Sequence, residues 1–266
     1  MLGTALSRIL TNPIITDKHN LDVTNYAEVM SYKEFDFIVH LAAETDLEVC
    51  ESNPAHCYLT NTIGALNVLE LAQKYQKQII FISTAGVFNG NKGAAYFPYE
   101  VPDPVNHYGR SKFYAEKYVS EYPYAYIIRA GWMMGGGKDL DKKFVNKLIK
   151  KIKAGEKSIK VVADCMGAPT YTEDFVKNIK KVIEGNFKPG IYHCTNKGIA
   201  SRYDVAKKIV EILKKDVEIV PVLSDKVTGE FPCVRSKNEM LALSEGFEMP
   251  QWEESLERYL NANFND

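Results

Sequence analysis

The sequence has no excess of charge of either sign. Its 266 residues contain 33 lysines and arginines against 34 aspartates and glutamates, so the formal net charge is −1. A protein without a net field has no general attraction for nucleic acid or for an anionic membrane surface. We therefore expect neither kind of partner, and we interpret the lysine-dense stretch at 147–157 as the solvated face of a helix.

Long apolar runs and paired cysteines are also lacking. No segment reaches the roughly 18 apolar residues of a transmembrane helix, and the first residues do not have the basic region of a secretion signal. The cysteines are odd in number and form no C-x-x-C pair, which predicts reduced and mostly buried thiols. They lie at positions 50, 57, 165, 194 and 233. The lack of a transmembrane run and of a secretion signal predicts a cytoplasmic protein. The histidines lack the spacing of zinc ligands, so we expect no metal site.

What the sequence does contain is a regular alternation of short apolar runs and helical patterns. The apolar runs lie at 35–43, 78–83, 124–130, 158–163, 190–195 and 217–223. The clearest helical patterns lie at 54–75, 107–122, 141–155, 171–185 and 202–215. Strands that alternate with helices predict right-handed crossovers and a parallel sheet covered on both faces. The fold class is therefore α/β and doubly wound, and the turn-rich stretch after residue 223 predicts a smaller C-terminal lobe.

One strand end and the helix after it carry residues suited to proton transfer. Ligands of doubly wound sheets bind beyond the C-terminal ends of the strands, where the run 78–83 delivers Ser83 and Thr84. Tyr108 and Lys112 share a helix face because they are four residues apart, although an incidental surface pair is the alternative. A nearby cation lowers the pKa of a tyrosine from its usual value of about 10. The Thr84 hydroxyl, or that of Ser83 as second choice, could hold a carbonyl oxygen beside Tyr108. Together these residues predict an enzyme that interconverts a carbonyl and an alcohol.

Six motifs follow one another along the chain in a recognisable order. They are HLAA (40–43), ISTAGVF (82–88), YGRSK (108–112), RAGW (129–132), GAPTYTEDF (167–175) and GIYHCTNKGIASRYDVA (190–206). Together they resemble the extended short-chain dehydrogenases/reductases, and within them the dTDP-4-dehydrorhamnose reductase type. The resemblance implies a Rossmann-like fold, NADP or NAD as cofactor, and hydride transfer to a 4-keto nucleotide sugar. A homodimer is the candidate assembly.

The resemblance also divides the chain and assigns the catalytic roles. Residues 1–130 and about 171–195 would form the NAD(P)-binding domain, and residues about 131–170 and 196–266 the substrate-binding lobe. Tyr108 would be the proton donor. Lys112 would bind the nicotinamide ribose and lower the pKa of the tyrosine, and Thr84 would position the substrate carbonyl.

Further residues are assigned to the cofactor by the same resemblance. They are Leu2, Gly3, Asp17, Asp22, Val23, Leu41, Ala42 and Ala43. Small residues at 41–43 would let the backbone approach the cofactor, and Asp22 and Val23 fall where the family contacts adenine. Asp17 would accept hydrogen bonds from the adenosine ribose and so favour NAD over NADP, although a solvated loop aspartate is an equal alternative.

Three residues are candidates on the substrate side or in support of the site. Trp132 would stack on a ring of the substrate, with a core position as the alternative. Arg235 would bind the diphosphate as a bidentate cation. Asn61 would support Lys112 through a water, with a buried helix amide as the alternative.

Two departures from the family pattern limit these expectations. Rhamnose-pathway reductases typically carry Thr-Asp-Tyr where this chain has Thr84, Ala85 and Gly86, so the exact sugar stays open. Residues 1–3 match the end of the family's glycine-rich turn and lead into an amphipathic helix. We therefore expect that the first strand is missing and that the chain binds NAD(P)(H) weakly. A non-catalytic binding or regulatory subunit, or an inactive truncated form, is the alternative function.

Overall fold

Strands and helices alternate along the chain in the computed structural model, which describes residues 1–226 and 233–264. The helices are α1 (Leu2–Ser7), α2 (Tyr26–Met30), α3 (Leu47–Ser52), α4 (Pro54–Tyr58), α5 (Gly64–Lys74), α6 (His107–Val119), α7 (Gly137–Leu140), α8 (Phe144–Lys153), α9 (Thr172–Ile183), α10 (Arg202–Ile212) and α11 (Trp252–Asn263). The strands are β1 (Phe37–His40), β2 (Gln78–Thr84), β3 (Ala125–Ala130), β4 (Trp132–Met134), β5 (Ser158–Val162), β6 (Met166–Gly167), β7 (Pro169–Tyr171), β8 (Gly190–Cys194), β9 (Ala200–Ser201), β10 (Glu218–Val222) and β11 (Asn238–Glu239).

The main sheet is parallel and has the strand order β1-β2-β3-β8. Alternate residues of its strands face opposite sides. On one side, Ile80 and Ile128 pack with residues of α1 and α9. On the other, Ile79 and Ile127 pack with residues of α2, α5 and α6. Helices therefore cover both faces, and the predicted doubly wound α/β fold is confirmed.

A third core cluster lies among the later elements. It joins residues of α8, α10 and α11 to β5 and β10, which pair in parallel. Strands β11, β6 and β9 form one small sheet, and β4 pairs with β7. The predicted division into a cofactor domain and a substrate lobe stays a prediction, and residues 227–232 of the turn-rich stretch lie outside the described residues.

The beginning of the chain is helical, as predicted. In α1 the side chains of Ala5 and Leu6 are buried, and Leu2 packs against the same cluster from a partly exposed position. The next apolar pair, Ile14 and Ile15, is 63% exposed and lies in no strand. The expectation of a missing first strand stays a prediction.

All five cysteines are buried and free, which confirms the prediction for the thiols. No described helix is both long enough and apolar enough to cross a membrane. Within residues 1–226 and 233–264, no group of three or more histidine, cysteine or acidic side chains is placed to hold a metal ion.

A buried ion pair attaches α6 to the sheet. The guanidinium of Arg129, on β3, donates to Glu116 of α6 with Nη2 2.7 Å from Oε2 and Nε 3.0 Å from Oε1. Both side chains are almost fully buried, at 2% and 3% exposure. Arg129 Nη1 also donates to the carbonyl of Pro98, at 3.2 Å. The charge of each partner is therefore compensated inside the protein.

Removing one charge of this pair is expected to be costly. Glu116→Gln leaves the buried guanidinium without its counter-charge, and we expect a loss of about 3–5 kcal/mol in the free energy of unfolding. Urea denaturation of both proteins measures this. The control is Glu211→Gln, because Glu211 is 68% exposed in its pair with Lys208 and should cost under about 1 kcal/mol. Equal losses in the two variants would contradict the structural role of the pair.

Candidate active site

Tyr108 and Thr84 meet where β2 ends and α6 begins. The Asn106 side chain caps α6 by accepting from the backbone N–H of Gly109, at 2.8 Å. A Cβ at Gly109 would lie 2.2 Å from the carbonyl oxygen of Gly86, so only glycine permits this approach of α6 to the turn after β2. As a result the side chain of Tyr108 lies close enough to Thr84 for the Thr84 hydroxyl to stabilise its phenolate.

The hydroxyl of Thr84 is oriented by the turn that follows it. Its Oγ1 accepts from the backbone N–H of Gly86, at 3.1 Å. Because a hydroxyl both accepts and donates, its own proton stays available for Tyr108 or for a substrate oxygen. Two hydroxyl groups on different elements thus converge on one point.

The pKa of Tyr108 is raised to about 12, mainly by burial. The neighbouring Thr84 hydroxyl opposes this shift, and the negative charge of Glu239 adds to it. The expected direction, a lowered pKa, is therefore wrong, because desolvation of the phenolate outweighs stabilisation by nearby groups. Tyr108 keeps its proton at neutral pH.

Lys112 lies one turn further along α6 and is only 3% exposed. Its Nζ stands 4.0 Å from the centre of the Phe81 ring. Burial lowers the pKa of Lys112 to about 7, and the negative charge of Glu116 opposes that shift. The ammonium therefore exchanges its proton near neutral pH.

Two buried polar atoms on the neighbouring strands β1 and β2 have no hydrogen-bond partner in the part of the chain that the structure describes. They are His40 Nε2, at the end of β1, and Ser83 Oγ, on β2. The His40 ring stacks on Phe81 with 5.7 Å between ring centres. Burial lowers the pKa of His40 to about 3, and the positive charge of Lys112 adds to that shift. Orphaned polar atoms in a core mark a place where another group is expected to bind.

Asn61 joins the segment after β1 to α6. It lies in a π-helical turn, Leu59–Ile63, and is fully buried. Its Oδ1 accepts from the N–H of Glu44 at 2.7 Å, and its Nδ2 donates to the carbonyl of Glu44 and to Ser111 Oγ, each at 3.0 Å. Asn61 thus links this segment to α6, and a water between it and Lys112 stays a prediction.

The residues predicted to line the cofactor fall into two groups. Near the end of β1, Leu41 Cδ1 would lie 3.5 Å from a Cβ at Gly3, so the start of α1 and the segment 41–43 are neighbours. Leu2 belongs to the same core cluster, whereas Ala42 is exposed and Ala43 half-buried. This arrangement agrees with a shared surface for the cofactor.

The second group lies in the segment between α1 and β1. Val23 packs against Gly64, and its carbonyl accepts from Asn67 Nδ2 at 2.9 Å. Asp22 accepts from Thr24, which lowers the pKa of its carboxyl group. Asp17 is exposed and accepts from the N–H of His19 at 2.8 Å. The roles of Asp17, Asp22 and Val23 toward adenosine stay predictions.

On the substrate side, Trp132 is partly exposed and already has close neighbours. The guanidinium of Arg202 lies 3.8 Å from the centre of its ring. A Cβ at Gly167 would lie 2.5 Å from the indole, so glycine is required there. The indole Nε1 donates to Oε2 of Glu239. Stacking of Trp132 on a substrate ring stays a prediction, since Arg202 covers one face.

Arg235 is placed at the edge of the site and has an acidic partner. Its Nη2 donates to Glu48 Oε1 at 2.6 Å, and the two side chains are 37% and 31% exposed. Arg235 also acts on Glu239, because its charge opposes the rise in the pKa of that carboxyl group. Its role in binding a diphosphate stays a prediction.

Sequence reasoning missed Arg202 and Glu239. Arg202 is the first residue of α10, inside a motif that carries the resemblance, and Glu239 lies in a strand of two residues. A two-residue strand has no periodicity to read, so no local signal marked Glu239. Only the fold brings both side chains to Trp132.

Comparison with known proteins identifies the family. Residues 1–264 match the family described as RmlD substrate binding domain. The chain belongs to this family. It is 37% identical to a dTDP-4-dehydrorhamnose reductase of Mycolicibacterium smegmatis over 72% of this chain and 58% of that protein. It is 28% identical to the dTDP-4-dehydrorhamnose reductase of Aggregatibacter actinomycetemcomitans over 96% of this chain and 93% of that protein.

A solved structure gives the same result for the fold. The dTDP-4-dehydrorhamnose reductase of Bacillus anthracis, in complex with NADP, superimposes with a TM-score of 0.92 at 32% identity. The match covers 98% of this chain and 95% of that chain. The resemblance to the dTDP-4-dehydrorhamnose reductase type is thus confirmed.

The buried His40 is expected to make the fold sensitive to acid. Its pKa is about 3 in the folded protein and 6.5 in the unfolded chain, so the unfolded state binds more protons between these values. Stability is therefore lost as the pH falls from about 6.5 toward 3. His40→Phe keeps a ring against Phe81 and removes the titrating group. Over that pH window its melting temperature should therefore fall less than that of the wild type, with about 2–4 °C for each kcal/mol of stability.

Thermal unfolding at pH 6.5, 5.5 and 4.5 measures this difference. The control is His19→Gln, because His19 is exposed and its substitution should leave the pH profile of the wild type unchanged. Parallel profiles for the wild type and His40→Phe would show that His40 does not carry the effect.

Proposed function

We propose that the chain reduces the keto group of a dTDP-linked 4-keto sugar, with a nicotinamide coenzyme as hydride donor. The observation that carries the proposal is the convergence of Tyr108 and Thr84 where α6 packs on the turn after β2, with the buried Lys112 one turn away. The relatives from M. smegmatis and B. anthracis are dTDP-4-dehydrorhamnose reductases, which supports the same substrate class.

The residues at the end of β1 and on α6 fit a nicotinamide coenzyme. The orphaned Ser83 Oγ and His40 Nε2 leave polar atoms for a bound group, and small side chains at Ala42 and Ala43 permit close approach. Lys112 would hold the ribose next to the nicotinamide. When bound, the coenzyme supplies a hydride to the carbonyl carbon. The B. anthracis relative is in complex with NADP, which supports NADPH for this chain.

Residues of this chain deliver the proton that the substrate oxygen receives. Thr84, which accepts from Gly86, donates its hydroxyl proton toward the substrate oxygen and holds the carbonyl beside Tyr108. Tyr108 then gives its proton to the oxygen as negative charge develops there. Lys112, with a pKa of about 7, is the nearby group that loses and regains a proton at neutral pH. The product is a sugar alcohol.

A non-catalytic role explains less of this geometry. Burying Lys112 lowers its pKa to about 7, and leaving Ser83 Oγ and His40 Nε2 unpartnered costs stability as well. A subunit that only binds a partner has no use for a shifted lysine pKa or for unpartnered polar groups, whereas an active site uses both. The geometry therefore favours the enzyme.

The first test is the substitution Tyr108→Phe. It removes the proton donor and keeps the ring, so we expect kcat to fall about 100-fold or more with little change in KM. Oxidation of NADPH with dTDP-4-dehydrorhamnose, followed by absorbance, measures the rate. The control is Tyr114→Phe on the same helix, because Tyr114 is 46% exposed. Turnover by Tyr108→Phe at the wild-type rate would refute the assignment.

A second test addresses the nucleotide. If Arg235 exchanges Glu48 for the diphosphate, Arg235→Ala should weaken binding of dTDP by about 10-fold, the loss of one charge-assisted contact. Calorimetric titration with dTDP measures the affinity. The control is Lys237→Ala, because Lys237 is 68% exposed in its ion pair with Asp164. Unchanged affinity in Arg235→Ala would place the diphosphate elsewhere.

A further inference from the structure

Gly86 leaves a space beside the two hydroxyl groups of the site. A Cβ at this position would lie 3.4 Å from Thr84 Oγ1 and 3.7 Å from Glu239 Oε1. Thr84 and Glu239, which are far apart in the sequence, therefore border the same small volume. Glu239 also acts on Tyr108, since its charge helps to raise the pKa of that tyrosine. A carboxylate thus borders the place where the keto oxygen is expected.

Glu239 is held in one position by the elements around it. In the small sheet it pairs with Gly167, the residue that packs against the indole of Trp132. Trp132 Nε1 donates to Oε2, and Arg202 packs on the ring of the same tryptophan. Burial raises the pKa of Glu239, and the Trp132 hydrogen bond and the charge of Arg202 oppose the rise. One carboxylate oxygen is therefore anchored.

The other oxygen, Oε1, is turned toward Gly86. Among the residues that the structure describes, none donates a hydrogen bond to it, whereas Oε2 has Trp132. An ionised carboxylate only accepts hydrogen bonds, so its ligand must be a donor. The phosphates of the substrate are excluded because they are anionic. An ammonium group is disfavoured because Arg202 and Arg235 already supply positive charge to Glu239.

We propose that Glu239 is a specificity-determining residue whose Oε1 accepts a hydrogen bond from a sugar hydroxyl next to the keto carbon. This inference rests on the proposed function, because Thr84 and Tyr108 then fix the keto oxygen and the adjacent carbon faces Glu239. It assigns a substrate class: 4-keto sugars with a free hydroxyl beside the ketone. Sugars that are deoxygenated or alkylated at that position would cover this carboxylate oxygen without donating to it and are rejected.

The test compares two ligands in two proteins. The ligands are dTDP-rhamnose, the reduced sugar, and its analogue without the hydroxyl adjacent to carbon 4, each titrated calorimetrically in the presence of NADP. The proteins are the wild type and Glu239→Gln, which has the same shape but exchanges the charged acceptor for a neutral amide, so that a bond to the hydroxyl is no longer charge-assisted. We expect the hydroxyl to strengthen binding by about 10-fold or more in the wild type and by less than about threefold in Glu239→Gln, a coupling that a double-mutant cycle isolates.

Two further variants control for structural damage. Glu239→Asp keeps the charge but shortens the reach, and it should also lose the preference for the hydroxyl. Glu211→Gln, at the far end of the helix that carries Arg202, should behave as the wild type. Melting temperatures of all variants should agree with that of the wild type to within a few degrees.

The possible failures are distinguishable. If Glu239→Gln weakens both ligands equally, or neither, Glu239 does not recognise the hydroxyl and the inference is overturned even when the wild type reduces dTDP-4-dehydrorhamnose. If the wild type binds with the expected preference but reduces no keto sugar, the proposed function fails and the recognition by Glu239 stands. If the wild type binds neither ligand, both are overturned.

Discussion

The buried ion pair between Arg129 and Glu116 is the interaction on which the active site depends. It joins a central strand to the helix that carries Tyr108 and Lys112, and it lies in the interior, where an uncompensated charge is expensive. Arg129 also contacts the carbonyl of Pro98 and the ring of His193. Because a shift of α6 would break the hydrogen bonds between Arg129 and Glu116, the pair holds the helix in position on the sheet.

The position of α6 determines the geometry further along the chain. With the helix fixed, the absence of a side chain at Gly109 lets its first turn touch the carbonyl of Gly86, and this contact brings Tyr108 to Thr84. Glu116 has a second effect, because its charge lies one turn from Lys112 and opposes the loss of the lysine's proton. A single carboxylate thus stabilises the fold and helps to set the protonation of the site.

Features that depend on local sequence were predictable, and features that depend on burial were not. The strand Gln78–Thr84 and the spacing of Tyr108 and Lys112 follow from short patterns, and the structure places both as expected. The pKa of Tyr108 was predicted in the wrong direction, because a sequence shows the neighbouring lysine but not the loss of water around the phenol. Glu239 could not be identified as a site residue from the sequence because its neighbours Trp132 and Arg202 come from distant segments.

The same burial acts in opposite directions on the two titratable groups of α6. It raises the pKa of Tyr108 to about 12 and lowers that of Lys112 to about 7, so both shifts favour the neutral form. A neutral tyrosine is ready to give a proton to an alkoxide, which is a stronger base than the phenolate that remains. Removing a proton from an alcohol would first require that phenolate, which is scarce at neutral pH. A neutral Tyr108 is therefore the form that the proposed reduction requires of its proton donor, and the carboxylate of Glu239 contributes by disfavouring the phenolate further.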